Sequence, residues 1–435
     1  MGRLKSQRTV WSGTQTPRGK QNPLAGGAVN RRYAYDKAGN LIQSADQRSG
    51  VLNYVYDKIG RIQEARNSQT GRSETFAFDP AHNILSDKIA EGKGGNPVSG
   101  NRLKEYNGIE YTYDALGNLI YRQLPDGENQ YYQYDLENQL VRAEIKKPTG
   151  NTEIWTYAYD PFGRRLSKER QDKLAWTSTD PKRTHFVWDG SRLLQEYTYK
   201  GSYTYIYTDQ DSYEPLAQVF DNAKDKTQYL AYFHTDQIGI PREMTDKDGR
   251  LLWFGDYDGW GRLDSETNIT GAHQPFRLQN QYFDEETDLC YNRFRYYSPG
   301  TGLYISQDPV GLAGGMALYS YVHDLNSWID PLGLRPTNPF DVVPYKPSSS
   351  PLENHHGILD VWAANNIDGY KSRASHNPTI ALTKEQHDAT KAVYRDWLKE
   401  KTGKHPYMGS PCSLHIFIAY LTVIICLNTF FKSHS

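Results

Sequence analysis

The sequence has few cysteines, no excess of either charge and no apolar run near its beginning. Its 435 residues include three cysteines, Cys290, Cys412 and Cys426, which form neither a disulfide framework nor the Cys-x-x-Cys spacing of a zinc site. With 50 basic and 51 acidic side chains, no global field directs the chain to nucleic acid or to an anionic membrane. The basic start continues into polar residues, so no secretory signal peptide is predicted. We therefore expect a reducing, cytoplasmic location before export.

Tyrosine is abundant, with 34 residues, and much of it lies in a repeat that reads Tyr-x-Tyr-Asp-x-x-Gly-Asn/Arg-Leu. Alternating aromatics are typical of a strand with one buried face, and Asp-x-x-Gly is typical of a tight turn before a returning strand. One hairpin is too small to be stable alone, so the units should stack into a continuous sheet. Sugar binding by the tyrosine rows is the alternative interpretation. The six copies span residues 33–42, 54–62, 76–84, 111–119, 132–140 and 157–166.

These motifs resemble the YD repeats of the Rhs and teneurin-type proteins over roughly residues 30–334. The resemblance implies a mainly β fold, in which a sheet of YD-repeat hairpins spirals as part of a hollow shell and the tyrosines pack between its turns. Whole members of the family contain many more repeats. We therefore expect residues 1–29 to be the irregular start of a truncated array, residues 30–270 to be the repeat sheet, and the chain to be the C-terminal piece of a longer protein.

Residues 271–334 closely resemble the Rhs core-associated segment that ends such shells. Two Asp-Pro-x-Gly-Leu sequences in this segment begin at Asp308 and Asp330. The resemblance implies aspartyl-type self-cleavage after the second of them, at the bond between Leu334 and Arg335. Two neighbouring carboxyls that share a proton suit this reaction, because one activates a water while the other protonates the departing amine. Asp308 and Asp330 are the predicted catalytic pair.

Arg295 is the predicted partner of this pair, as a residue that fixes the fold or the charge balance around the two carboxyls. Some relatives carry an arginine directly before the first Asp-Pro, where this chain has Gln307. The alternative interpretation of Asp-Pro-x-Gly is turn chemistry alone, with proline fixing φ and glycine adopting a positive φ.

After the junction, a linker rich in proline and serine, residues 335–351, leads to a region of different composition, residues 352–408. Paired histidines, an asparagine-bearing connection and a helix predicted from Thr383 by a capping box resemble the ββα-metal arrangement of HNH/endonuclease VII nucleases. The resemblance implies a small α+β C-terminal toxin domain, which we expect to be truncated.

The same resemblance assigns roles to side chains of this domain. His355 and His387 would hold a divalent metal, His356 would accept a proton from the attacking water, and Asn377 would steady the loop by hydrogen bonding. Family members often carry a further histidine where this chain has Lys391. Few protein ligands are therefore expected, which favours hydrated Mg²⁺ over Zn²⁺. The alternative is that the paired histidines are incidental.

Residues 409–435 differ from what precedes them, because residues 414–431 are almost entirely apolar. The run is barely long enough to span a bilayer. The preferred interpretation is a frameshift or insertion that replaced the genuine end of the toxin domain, and the alternative is a membrane segment.

Two hypotheses from different classes remain. In the first, an Rhs polymorphic toxin fragment cleaves itself and releases a nuclease that acts on nucleic acid, DNA more than RNA, in competing bacteria. Its expected partners are a cognate immunity protein and a secretion-system spike or carrier, and its product would be secreted or delivered into target cells. In the second, the chain is a structural or cell-surface YD-repeat protein with a C-terminal membrane anchor and no enzymatic activity.

Overall fold

Every regular element in the part of the chain that the structure describes is a β-strand, so the mainly β prediction is confirmed there. The helix predicted from Thr383 lies outside this part. The computed structural model describes residues 3–9, 29–57, 60–78, 84–85, 98–99, 102–171, 182–311, 317–322, 324–334, 342–344, 353–355 and 378–382.

The repeats fold as antiparallel hairpins around their Asp-x-x-Gly turns. In the first repeat the Asp36 N–H donates to Asn40 O at 3.0 Å, and Asp36 Oδ1 accepts the N–H groups of Gly39 and Asn40 at 2.6 and 2.8 Å. Gly39 has a φ of +97°, which a residue without a Cβ adopts at little cost. The turns that start at Asp114 and Asp160 are closed by the same backbone bonds.

The second tyrosine of a repeat links its hairpin to the one before it. The Tyr134 hydroxyl donates to Leu119 O at 2.8 Å, and the Tyr159 hydroxyl donates to Leu140 O at 2.7 Å. Leu119 and Leu140 begin the return strands of the preceding hairpins and are buried. The phenol therefore gives a buried backbone carbonyl a hydrogen-bond partner, which a phenylalanine at this position would not.

The first six strands form an antiparallel sheet in sequence order. Two short two-stranded sheets follow, β7 with β8 and β9 with β10. These strands are β1 (Ser6–Arg8), β2 (Asn30–Tyr35), β3 (Leu41–Asp46), β4 (Gly50–Tyr56), β5 (Ile62–Asn67), β6 (Ser73–Thr75), β7 (Ala77–Phe78), β8 (Ile84–Leu85), β9 (Val98–Ser99) and β10 (Arg102–Leu103).

The next fifteen strands form one antiparallel sheet, again in sequence order, so each strand pairs with its neighbours along the chain. They are β11 (Glu105–Tyr106), β12 (Ile109–Tyr113), β13 (Leu119–Gln123), β14 (Asn129–Tyr134), β15 (Leu140–Lys146), β16 (Thr152–Tyr159), β17 (Arg165–Arg170), β18 (Arg183–Asp189), β19 (Arg192–Thr198), β20 (Gly201–Tyr207), β21 (Pro215–Asn222), β22 (Gln228–Thr235), β23 (Pro241–Asp246), β24 (Leu251–Tyr257) and β25 (Leu263–Asn268).

The six-stranded sheet lies against strands that come much later in the chain. The guanidinium of Arg31, on β2, pairs with Glu243, on β23, 212 residues further on, and also donates to Thr235 O at 2.9 Å. The Gly259 N–H donates to the Glu74 carboxylate at 2.8 Å. Contacts across such separations are those of a sheet that winds back on itself, as the resemblance to YD repeats predicts.

A four-stranded antiparallel sheet follows and packs its aromatic side chains into the core of the fifteen-stranded sheet. Tyr282 lies edge-on to Phe186, and Tyr291 lies edge-on to Trp188. Three further strands pair in the order β30, β32, β31. These last strands are β26 (Tyr282–Asp284), β27 (Leu289–Asn292), β28 (Arg295–Ser298), β29 (Leu303–Tyr304), β30 (Val342–Pro344), β31 (Glu353–His355) and β32 (Pro378–Leu382).

The chain divides into two compact units, one of residues 2–336 and one of Met1 with residues 337–435. The predicted cleavage bond lies close to this division. The described residues include no helix long and apolar enough to cross a bilayer, and the apolar run at 414–431 is not among them.

Candidate active site

The Asp-Pro-x-Gly part of each of the two motifs folds as a turn. Asp308 Oδ1 accepts the Val310 N–H at 3.0 Å and Asp308 O accepts the Gly311 N–H at 2.8 Å. In the second turn, Asp330 Oδ1 accepts the Leu334 N–H at 3.2 Å. Turn chemistry is therefore present in both motifs, as one interpretation of the sequence predicted, and it does not exclude a second role for the two carboxyls.

Arg295, on β28, brings the two turns together. Its Nη2 donates to Asp308 Oδ2 at 3.1 Å and lies 3.5 Å from Asp330 Oδ2. All three side chains are buried, with exposed fractions of 2%, 7% and 2% for Arg295, Asp308 and Asp330. The structure thus gathers the three residues that the sequence predicted for this site.

Arg295 also binds the end of the segment that it faces. Its Nε donates to Gly333 O, and its Nη2 donates to Leu334 O. Leu334 O is the carbonyl oxygen of the predicted cleavage bond. A guanidinium on this oxygen polarises the carbonyl and stabilises the negative charge that develops there when a nucleophile adds. Sequence reasoning predicted Arg295 as a structural or charge-balancing partner and missed this contact.

The charges of the site favour one proton for the two carboxyls. One guanidinium faces two carboxyls that are removed from water, so the neutral arrangement has a single carboxylate. Burial raises the pKa of Asp330 above its ordinary value, and the Arg295 charge and the Tyr304 hydroxyl offset only part of this rise. Burial therefore favours the neutral form of the Asp330 carboxyl.

Two side chains that the sequence did not single out surround Asp330. The Tyr304 hydroxyl donates to Asp330 Oδ2 at 2.8 Å. Asn292 Nδ2 donates to the Tyr304 hydroxyl at 2.8 Å and to Asp330 O at 2.9 Å. Both lie within the core-associated motifs, but nothing in their spacing indicates a contact with Asp330.

Gln307 occupies the place where some relatives carry an arginine. A side chain on Gly117 would meet the Gln307 amide and the Tyr319 hydroxyl, which locates Gln307 beside the turn between β12 and β13. The Tyr319 hydroxyl donates to Gly117 O at 2.8 Å. Arg295 therefore supplies the cation of this site.

The predicted nuclease residues fall largely outside the described part of the chain. The backbone of β31 includes His355, whereas His356, Asn377, His387 and Arg335 are outside it. Within the described residues no group of three or more His, Cys, Asp or Glu side chains is placed to hold a metal ion.

Two family models match the sequence. Residues 230–267 match a family described as RHS protein, and residues 349–419 match a family described as HNH/Endo VII superfamily toxin with a SHH signature. The second range contains all four residues predicted for the nuclease, which are His355, His356, Asn377 and His387.

Several curated proteins and solved structures are similar to the chain, and two of the proteins and one of the structures illustrate this. Double-stranded DNA deaminase toxin A of Burkholderia cenocepacia (strain H111) is 34% identical over 373 residues, covering 81% of this chain and 26% of that protein. Probable deoxyribonuclease RhsB of Dickeya dadantii (strain 3937) is 32% identical over 322 residues, covering 71% and 21%. The structure described as "Crystal Structure of TcdB2-TccC3-Cdc42" aligns with a TM-score of 0.46 and 17% identity, covering 70% and 18%. The chain thus spans about a quarter of the length of these curated relatives.

A winding sheet of tyrosine-rich hairpins, joined to a buried segment with two Asp-Pro-x-Gly-Leu turns, defines a YD-repeat protein with a core-associated segment. The matches to the two families and to the toxins narrow this class. The chain is similar to Rhs toxins over most of its length, and on its C-terminal side it has a segment that matches the HNH/Endo VII superfamily toxins.

Proposed function

We propose that this Rhs chain cleaves itself after Leu334 and thereby releases a C-terminal metal-dependent nuclease. One observation carries the first half of the proposal. Arg295 contacts Asp308, the Asp330 carboxyl and the carbonyl oxygen of Leu334 at the same time. A site that only shaped two turns would not require a buried guanidinium to bind this carbonyl.

The proposed reaction is a hydrolysis in which protons balance. The Asp308 carboxylate takes a proton from a water whose oxygen adds to the Leu334 carbonyl carbon, while Arg295 stabilises the charge on Leu334 O. The bond to the nitrogen of Arg335 then breaks, and Asp330 gives its proton to that nitrogen. The products are a Leu334 carboxyl group and an Arg335 amine, and the proton gained by Asp308 replaces the one lost by Asp330.

Substitution of the carboxyls tests the reaction. Asp330→Asn removes the proton donor, and we expect the fragment that begins at Arg335 to form about a hundredfold more slowly or not at all. Asp324→Asn is the matched control, because Asp324 is equally buried in the same segment and instead accepts the Asn326 N–H at 3.0 Å. The measurement is the amount of each fragment with its N-terminal sequence, and cleavage by Asp330→Asn at the wild-type rate would refute the assignment.

The geometry of Arg295 gives a second test. Arg295→Lys keeps the charge but loses the planar fork that reaches the Leu334 carbonyl and the carboxyls together, so we expect cleavage to slow by about a hundredfold to a thousandfold. Arg293→Lys changes a buried neighbour that instead donates to Phe162 O at 2.7 Å, and this variant should cleave normally. Equal cleavage rates for the two variants would show that Arg295 is not needed to stabilise the charge on Leu334 O.

The nuclease half of the proposal rests on the family match over residues 349–419. His355 and His387 would hold the metal, His356 would accept the proton of the attacking water, and Asn377 would steady the loop. A divalent ion, Mg²⁺ in this proposal, supplies charge stabilisation at the phosphate when bound. The relatives described as a DNA deaminase toxin and a probable deoxyribonuclease favour DNA as the substrate.

Plasmid nicking by the whole chain with added Mg²⁺ tests the nuclease. We expect nicking to require the ion and to be abolished by His356→Ala, but not by His405→Ala, which lies outside the predicted site. Unchanged nicking by His356→Ala would remove the assignment of this histidine as the base.

The proposal also covers the biological setting of the toxin. It places the chain in the producing cell before export and in a competing cell after delivery by a secretion-system spike or carrier, with an immunity protein that protects the producer. Co-expression with a neighbouring small gene should relieve toxicity. An intact chain that fractionates with membranes would instead favour the membrane-anchored YD-repeat protein.

A further inference from the structure

Tyr304 lies beside the candidate active site and contacts its arginine and one of its aspartates. It lies on β29 with 2% of its surface exposed, and the Arg295 guanidinium covers its ring at 3.6 Å from the ring centre. Its hydroxyl lies 2.8 Å from Asp330 Oδ2 on one side and 2.8 Å from the Asn292 amide on the other. The direction of the hydroxyl proton therefore decides which of these two groups accepts it.

The amide of Asn292 settles this direction. The same Asn292 nitrogen lies 2.9 Å from Asp330 O, a backbone carbonyl that can only accept hydrogen bonds. The NH₂ group, not the amide oxygen, must face this carbonyl and hence also the Tyr304 hydroxyl. Because the Tyr304 oxygen accepts from Asn292, its own proton is free to point at Asp330 Oδ2.

We propose that Tyr304 is a positioning residue for self-cleavage, whose hydroxyl, oriented by Asn292, keeps Asp330 Oδ2 as an acceptor and directs the Asp330 proton to Oδ1. This inference rests on the proposed function, in which Asp330 protonates the departing amine. Oδ1 lies 3.2 Å from the nitrogen of Leu334, the residue whose carbonyl carbon belongs to the cleavage bond. A proton on Oδ2 would be turned towards Tyr304 instead.

The other groups around Asp330 do not duplicate this role. Arg295 lies 3.5 Å from Oδ2 but also binds Asp308 and the Leu334 carbonyl. The Tyr321 hydroxyl accepts the backbone N–H of Asp330 at 3.2 Å. Of the neutral side chains in the described part of the chain, Tyr304 is the donor that the structure shows on the Asp330 carboxyl.

Tyr304→Phe is the direct test. It removes one oxygen, and we expect self-cleavage to slow by about tenfold to a hundredfold, the effect of losing a hydrogen bond that becomes charge-assisted as Asp330 gives up its proton. Tyr297→Phe is the matched control, because Tyr297 is a fully buried neighbour whose hydroxyl donates to Trp260 O at 2.7 Å. Cleavage should be followed by pulse labelling during cell-free synthesis, so that the intact chain is seen before it reacts.

The pH profile separates positioning from a merely structural effect. A hydroxyl that donates to Oδ2 stabilises the ionised form of Asp330, so its removal raises the pKa of this carboxyl. Asp330 acts as an acid and must be protonated. The decline of the cleavage rate on the alkaline side should therefore move to higher pH in Tyr304→Phe. Slower cleavage with an unmoved profile would assign Tyr304 to the fold alone and overturn the inference.

Asn292 provides an independent test. Asn292→Ala should slow cleavage on its own but add little in the Tyr304→Phe background, because the two side chains act through one hydrogen-bond chain. Fully multiplicative losses would contradict the coupling.

If the wild-type chain does not cleave, the proposed function fails. If it cleaves and Tyr304→Phe cleaves identically at every pH, only the positioning role fails.

Discussion

At the scale of the residue, Gly333 holds the cleavage segment against β28. Its φ is +65°, a conformation that favours glycine. A Cβ at this position would lie 2.3 Å from Asn292 O and 3.2 Å from the backbone nitrogen of Arg295. This close approach is what allows Arg295 to bind the Gly333 and Leu334 carbonyls. Gly311 is its counterpart in the first turn, with a φ of +59°, but among the described residues no atom lies within 4 Å of an added Cβ.

Gly333→Ala should therefore block cleavage far more than Gly311→Ala. Both substitutions strain a left-handed backbone, by about 1 kcal/mol, but only the first pushes the carbonyl of Leu334 away from Arg295. A displacement of about 1 Å lowers a rate by about a hundredfold. Denaturant unfolding and the fraction of cleaved chain, measured together for both variants, check this. Similar cleavage by the two would mean that close packing at Gly333 is not needed.

At the scale of the element, Glu196 on β19 joins the fifteen-stranded sheet to the core-associated segment. The carboxylate accepts hydrogen bonds from the Tyr205 hydroxyl on β20, from the Tyr282 hydroxyl on β26 at 2.7 Å, and from His273 Nε2 at 2.6 Å. Burial raises the pKa of Glu196, but the His273 charge and these donors more than offset it, so the pKa is lowered. One buried carboxylate thus fastens three parts of the chain.

This contact predicts an acid-labile contribution to stability. Since the pKa of Glu196 in the folded chain lies below its ordinary value of 4.5, its contribution is complete above that pH and is lost as pH falls through the folded value. Glu196→Gln should remove this part of the acid dependence and lower the free energy of unfolding near neutrality by about 1–3 kcal/mol. Urea unfolding from acid to neutral pH measures both the acid dependence and the free energy of unfolding. Glu137→Gln, at an exposed turn, is the control. Parallel acid curves for wild type and Glu196→Gln would contradict the assignment.

At the scale of the whole molecule, buried ion pairs hold the early hairpins against the late ones. Glu243 pairs with Arg31 and, at 3.0 Å, with Arg48. Asp46 binds the other side of the Arg31 guanidinium at 2.7 Å. Hydrophobic contact alone would allow the winding sheet to slip along its partner. Charges removed from water must meet their partners, so these pairs fix how the two sheets lie together.

Glu243→Gln should loosen this contact without melting the rest of the sheet. It leaves two arginines with less negative charge in a buried setting, which costs about 3–5 kcal/mol. Hydrogen exchange should accelerate in β2 to β5 and stay slow in β14 to β17. Asp264→Asn is the control, because its partner Arg72 is 44% exposed and such pairs contribute about 0–1 kcal/mol. Uniform acceleration in all strands would show that the sheets are not separately anchored.

The sequence by itself determined the local structure and the candidates for the chemistry. Asp-x-x-Gly turns and alternating tyrosines can be recognised from a short stretch of sequence, because a turn depends on local φ preferences and on hydrogen bonds between near neighbours. The two Asp-Pro-x-Gly-Leu sequences and Arg295 were likewise identified from motifs. The assignments of His355, His356, Asn377 and His387 remain predictions.

The tertiary structure decided what these residues contact. The Leu334 carbonyl on Arg295, the hydroxyl of Tyr304 on Asp330, and Arg31 paired with Glu243 all join segments distant in sequence. No short pattern encodes such contacts, because they depend on where strands and turns meet after the whole sheet has packed and excluded water. Burial then shifts the charge balance of the site, because beside β28 the pKa of Asp330 is raised above the value that it would have in a free turn.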